Sequence, residues 1–103
     1  MRYRDRISCQ NRCERELNEA AQRLEFLRIS TQRLRLDLRS QLERRLDEVR
    51  GRHNRGVARL EALRRAEADC WGPAAERAEE AVSALWEALG WVEDVLGLRP
   101  LAA

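Results

Sequence analysis

From Glu16 to Val49 the chain contains no Gly and no Pro, and apolar residues recur at helical spacing through Leu17, Ala20, Leu24, Leu27, Leu34, Leu38, Leu42, Leu46 and Val49. Arg and Glu fill most of the intervening positions. That pattern predicts a long amphipathic helix with a narrow apolar seam, and such a seam is stable only against another helix. Ala, Glu, Leu and Arg dominate the sequence, as in coiled coils and long helices. Charged residues make up 37% and aromatics 5% of 103 residues, which leaves room for one domain and little for a wide core.

Asp5 or Ser8 is a candidate N-cap, able to place a side-chain oxygen on the free N–H groups of a first turn. Beyond it nothing forces a break before Gly51. The seam takes three consecutive steps of four from Leu34 to Leu46, a stutter that relaxes a left-handed supercoil. Phe26, Ile29 and Leu36 fall on the opposite side of the helix, so this stretch is apolar on two faces. Either they are scattered exposed side chains or a second helix covers them. Ser30-Thr31 is the weakest point, because both side chains compete for backbone hydrogen bonds. Leu34-Arg35-Leu36-Asp37-Leu38 alternates like a strand, but a lone strand here would have nothing to pair with.

The segment Gly51-Arg52-His53-Asn54-Arg55-Gly56 is the clearest joint, since Gly and Asn lower helix propensity and accept turn conformations. The apolar phase nevertheless continues through Val49, His53, Val57, Leu60 and Leu63. The segment therefore reads as a soft joint in one helix running over about 5–70, or as the turn of a hairpin. A hairpin there would have arms of roughly 70 and 60 Å at 1.5 Å per residue. Cys70-Trp71-Gly72-Pro73 is a firm break, with Pro73 suited to a helix start. A shorter amphipathic helix is predicted over 73–97, closed by Gly97-Leu98 as a Schellman stop and reinforced by Pro100. The fold class is all-α. Residues 1–71 form a basic coiled-coil-like helix and 72–103 an acidic, Trp-containing helix and tail, joined in one structural unit.

Charge is unevenly distributed. All 20 basic residues are Arg, a bias that a GC-rich genome suffices to explain. Residues 1–72 carry 18 Arg and 12 acids, a net +6, whereas 73–103 carry two Arg and six acids, a net −4. Under a hairpin, an acidic return arm would lie on a basic outgoing one. No secretory signal follows the N-terminus, and Glu87, Glu93 and Asp94 interrupt the most apolar window, so no membrane span is expected. The expected setting is intracellular and cytoplasmic, with reduced cysteines.

Catalysis finds little support. His53 is the single histidine, no Ser has a base nearby in sequence, and no Gly-rich phosphate loop is present. The chain is expected not to be an enzyme and to need no cofactor or small-molecule substrate. Cys9 and Cys13 share a helix face and read best as small apolar residues. A zinc site with His53 and Cys70 would have only one close ligand pair, and an inter-chain disulfide at Cys13 is a further option.

Two surfaces are expected to bind partners. One is the helix seam of Leu17, Leu24, Leu27, Leu34, Leu38, Leu42, Leu46 and Val49. The other is the C-terminal face of Trp71, Val82, Leu85, Trp86, Leu89, Trp91 and Val92, where all three Trp residues lie; Trp is enriched at binding hot spots. The expected function is that of a structural adaptor that joins itself or another helical protein by helix–helix association. The alternative is a basic helical protein that binds nucleic acid through the arginines between Arg33 and Arg59, although that run has no aromatic residue for base stacking.

Overall fold

The long amphipathic stretch turns back on itself at residues 33–35. A computed structural model of the chain describes residues 3–98, without the side chains of residues 3 and 4. It contains α1 (Tyr3–Gln32), α2 (Leu36–Arg65) and α3 (Trp71–Leu96), with no strand among the described residues. The single helix expected over 5–70 is thus two helices of 30 residues each.

The first turn is made without Gly or Pro. The end of α1 tightens through Arg33 N–H to Ser30 O (3.3 Å) and Leu34 N–H to Thr31 O (3.1 Å). Arg35 is extended at φ −61°, ψ 150°, and its carbonyl accepts Arg39 N–H at 2.8 Å to start α2. Turning here matches two arms of equal length, so that leucines of both seams face one another. The apolar phase change at Leu34–Leu46 and the weak Ser30-Thr31 pair are the sequence traces of this turn.

Gly51–Gly56 is neither a joint nor a turn; it lies inside α2. Gly56 is buried against α1, where an added Cβ would lie 2.6 Å from Leu17 Cδ2. Its missing side chain serves helix packing. His53 is tied to the same place, with Nε2 3.2 Å from the Leu17 carbonyl oxygen.

The other boundaries follow the sequence more closely. Helix α1 already includes Tyr3, which puts Asp5 in its first turn and Ser8 within the helix, so neither is an N-cap. Helix α3 begins at Trp71, with Pro73 in its first turn, where no intrahelical N–H is needed. Its end is a Schellman motif: Gly97 has φ 69°, its N–H reaches Asp94 O at 3.1 Å, and Leu98 N–H reaches Glu93 O at 2.9 Å. Pro100 lies outside the described residues.

Pairings fix the helix directions. Arg64 meets Glu14 at 3.0 Å, making α2 antiparallel to α1 in company with the His53–Leu17 contact. Arg52 donates to Ala84 O at 2.8 Å, while Arg45 lies over Trp91, making α3 antiparallel to α2. Arg12–Glu79 at 2.8 Å and Arg23–Glu93 at 3.7 Å then run α3 parallel to α1. These last two pairs join acids of α3 to arginines of α1, the complementarity that the uneven charge distribution implied. The result is a three-helix bundle 51 × 29 × 16 Å in extent. Its core includes Cys13, Leu17 and Leu27 from α1, Leu42, Leu46 and Leu63 from α2, and Leu85, Leu89 and Val92 from α3. Burying such a Leu or Val contributes about 1.5–3 kcal/mol.

Candidate partner-docking surface

Most of the residues expected to meet a partner are covered by the chain's own helices. In the seam, Leu17, Leu27, Leu42, Leu46 and Val49 are buried, Leu24 and Leu34 are half-buried against the core, and Leu38 is exposed. In the C-terminal set, Trp71, Val82, Leu85, Leu89 and Val92 are buried, Trp86 is half-buried, and Trp91 is exposed. The seam does find another helical surface to shelter it, and that surface is intramolecular. Leu38 and Trp91 are the two members of these sets that remain open to a second molecule.

Those two lie within a larger exposed group. Among the described residues, seven of the nine exposed large apolar side chains (Phe26, Ile29, Leu36, Leu38, Trp91, Val95 and Leu98) lie toward the end of the bundle that holds the α1–α2 turn and the end of α3, and of these Leu38, Trp91 and Val95 line one groove. Leu36 is 67% exposed and Phe26 57%. Singly exposed apolar residues need no explanation, whereas a contiguous patch is the kind of surface that associates, and Leu38, Trp91 and Val95 are the members of this group that share a lining. Sequence reading placed Phe26, Ile29 and Leu36 on a second apolar face. Val95 and Leu98 are not among the expected surface residues, because only the turn at 33–35 brings the end of α3 to the start of α2, where Val95 and Leu38 line one groove.

A groove between α2 and α3 leads away from this end. Its mouth is lined by Leu38, Gln41, Arg44, Arg45, Trp91 and Val95. Arg45 covers the Trp91 ring, with its guanidinium carbon 4.5 Å from the ring centroid, and also lies 3.6 Å from Glu48. Stacking of this kind orients a long side chain over the aromatic face. Farther along the same face lie two more hollows, one lined by Ala88, Glu87 and Arg52 and the next by Arg55, Arg59, Arg77 and Glu80 over Ala81 and Ala84, with the Arg52 side chain reaching across to α3 where they meet. Arg52 is held by Glu48 at 3.0 Å and by the Ala84 carbonyl. Arg44, Arg55, Arg59 and Arg77 are exposed and make no ion pair with another described residue.

The residues with reactive chemistry are engaged elsewhere. Burial pushes the Cys9 thiol up to about 11, reinforced by its neighbour Cys13 and by Glu79, whose carboxylate accepts the S–H at 3.5 Å; nearby Arg12 acts in the opposite direction. Burial also raises Cys13. Both are packed as small neutral core residues, the environment that keeps a thiol inert. Cys70 is an exposed free thiol. Among the described residues no three His, Cys, Asp or Glu side chains are grouped to hold a metal ion, and no helix is long and apolar enough to cross a membrane.

Comparison with protein-family models, with curated proteins and with solved structures finds no match to this chain.

Proposed function

We propose that this protein is a non-enzymatic helix–helix association module, acting in the cytoplasm as a subunit of a homo-oligomer or of a larger helical assembly. Its working surface is the apolar end of the bundle, with Leu38 and Trp91 at the mouth of the α2–α3 groove. The observation that carries this reading is that exposed Leu38, Trp91 and Val95 line one groove at an end of the bundle where further apolar side chains are exposed, while most of the seam is already closed by the chain itself. Apolar area left at the surface after folding is available to association, which is driven by the same burial.

Site-specific photo-crosslinking in the cells that make the protein tests the reading. A photoreactive residue at position 38 or 95 is expected to join the chain to a protein, either a second copy or a different one. The same residue at position 61, exposed on α2 toward the opposite end, is expected to leave it uncoupled. Equal labelling from all three positions, or none from 38 and 95, would dismiss the reading.

A further inference from the structure

The groove between α2 and α3 has the dimensions and chemistry of a seat for one more helix. On α2 its lining runs from Leu38 through Gln41, Arg45, Glu48 and Arg52 to Arg59, in steps of three and four interrupted only by the intervening Arg55, which keeps the same spacing. On α3 the opposite wall runs through Arg77, Ala81, Ala84, Ala88, Trp91 and Val95 at steps of four and three. Two antiparallel helices presenting such stripes side by side form the ridges between which a further helix packs in a bundle. From position 38 to 59 the seat is about 31 Å long at 1.5 Å per residue, the length of roughly six turns.

Its two halves differ. The half beside the turn exposes Leu38, Trp91 and Val95, with Arg44 and Arg45 at its edge, Arg45 lying over Trp91. The far half carries Arg55, Arg59 and Arg77, none of them in an ion pair with another described residue, against the carboxylate of Glu80. We propose that this groove binds an amphipathic helix of a partner protein, apolar over one half of its contact face and acidic over the other, with carboxylates set against Arg55, Arg59 and Arg77. The inference rests on the association role given above and adds the chemistry of the partner.

Charge complementarity selects this occupant. Carboxylates spaced three and four apart on a helix match guanidinium groups spaced likewise on α2, and each Arg fork can take a carboxylate bidentately. A nucleic-acid strand fits less well. It would lay phosphates or bases over Leu38 and Val95, which offer them nothing. The groove has a single aromatic ring, Trp91, with Arg45 over one face, where stacking along a strand needs a series of rings.

The test uses the full chain and synthetic helical peptides of 22 residues, about the length of the groove. They carry Leu on half of one face and Glu on the other half, in both sequence orders. Control peptides replace Glu by Gln. Binding is read by fluorescence anisotropy at low and moderate salt. One order of the Glu peptide should bind at least about tenfold more tightly than its Gln control, weaken with salt, and lose about tenfold in affinity to Arg55→Gln/Arg59→Gln/Arg77→Gln. Because these arginines are exposed, that variant should retain the wild-type melting curve, which is checked alongside.

Equal binding of Glu and Gln peptides, an unaltered affinity in the triple variant, or no binding at all would overturn the proposal. So would single-stranded DNA bound as tightly as the Glu peptide and lost in the same variant. Cross-linking from positions 38 and 95 with no preference for the acidic peptide would remove the partner chemistry and leave the association role standing. Silence in the cross-linking experiment would remove the role itself.

Discussion

A Cβ built on Gly56 would lie 2.6 Å from Leu17 Cδ2, whereas one built on Gly51 meets nothing within 4 Å. Both glycines sit within α2, and their contrast separates two reasons for a helical glycine. Gly51→Ala should raise stability by about 0.5–1 kcal/mol, the helix-propensity and chain-entropy gain of adding a methyl in open space. Gly56→Ala gains the same propensity but must displace Leu17, which is 3% exposed and has little room to turn. Overpacking of about 1–3 kcal/mol outweighs that gain, so the net change should be destabilising. Thermal melts of the two single variants check the pair, and a rise in both midpoints would contradict the packing role of Gly56. Sequence alone flags both residues as helix-weakening, because propensity is a local property. Which one touches another helix depends on a turn some twenty residues upstream.

At the level of elements, α1 and α3 are clamped by Arg23. Its guanidinium lies 3.7 Å from Glu93, whose side chain is 9% exposed, and 3.6 Å from Glu19 on α1 itself. It also covers Trp86, with the guanidinium carbon 5.1 Å from the ring centroid. Truncating Arg23 therefore removes a stacked cation and leaves a buried carboxylate without this partner. Arg23→Ala should cost about 2 kcal/mol in urea unfolding. In a Glu93→Gln background the same truncation should cost under about 1 kcal/mol, because no buried charge is abandoned. An identical cost in both backgrounds would mean that Arg23 acts through the Trp86 stack and not through Glu93. The end of α3 was fully legible in Gly97-Leu98, since a Schellman stop is written in local backbone chemistry. The α1–α2 turn was not, because Gln32-Arg33-Leu34-Arg35 has no turn former and breaks the helix for the sake of packing. Its traces in the sequence are Ser30-Thr31 and the altered apolar phase, which are weaker local signals than the glycines at 51 and 56.

For the molecule as a whole, the question is whether the apolar end belongs to the fold or to a partner. The all-helical class followed from periodicity, and the seam leucines were rightly expected to need shelter. Periodicity cannot say whether the sheltering helix is the chain's own, so the division between core and contact surface became visible only after the hairpin closed at 33–35. The two possibilities predict different energetics. A side chain that completes the core loses its transfer free energy when made polar, whereas one already in water loses little. Leu36, Leu38 and Val95 are 67%, 40% and 47% exposed, while Leu63 is 0% exposed. Leu36→Ser/Leu38→Ser/Val95→Ser should therefore change the unfolding free energy by no more than about 1 kcal/mol, while Leu63→Ser alone should lose at least about 3 kcal/mol by leaving a cavity and a buried hydroxyl. Chemical denaturation of both variants supplies the comparison. A triple variant as unstable as Leu63→Ser would assign the apolar end to the bundle's own stability. A triple variant that folds normally shows that those side chains are not needed for the fold, the outcome that the proposed contact with another molecule requires.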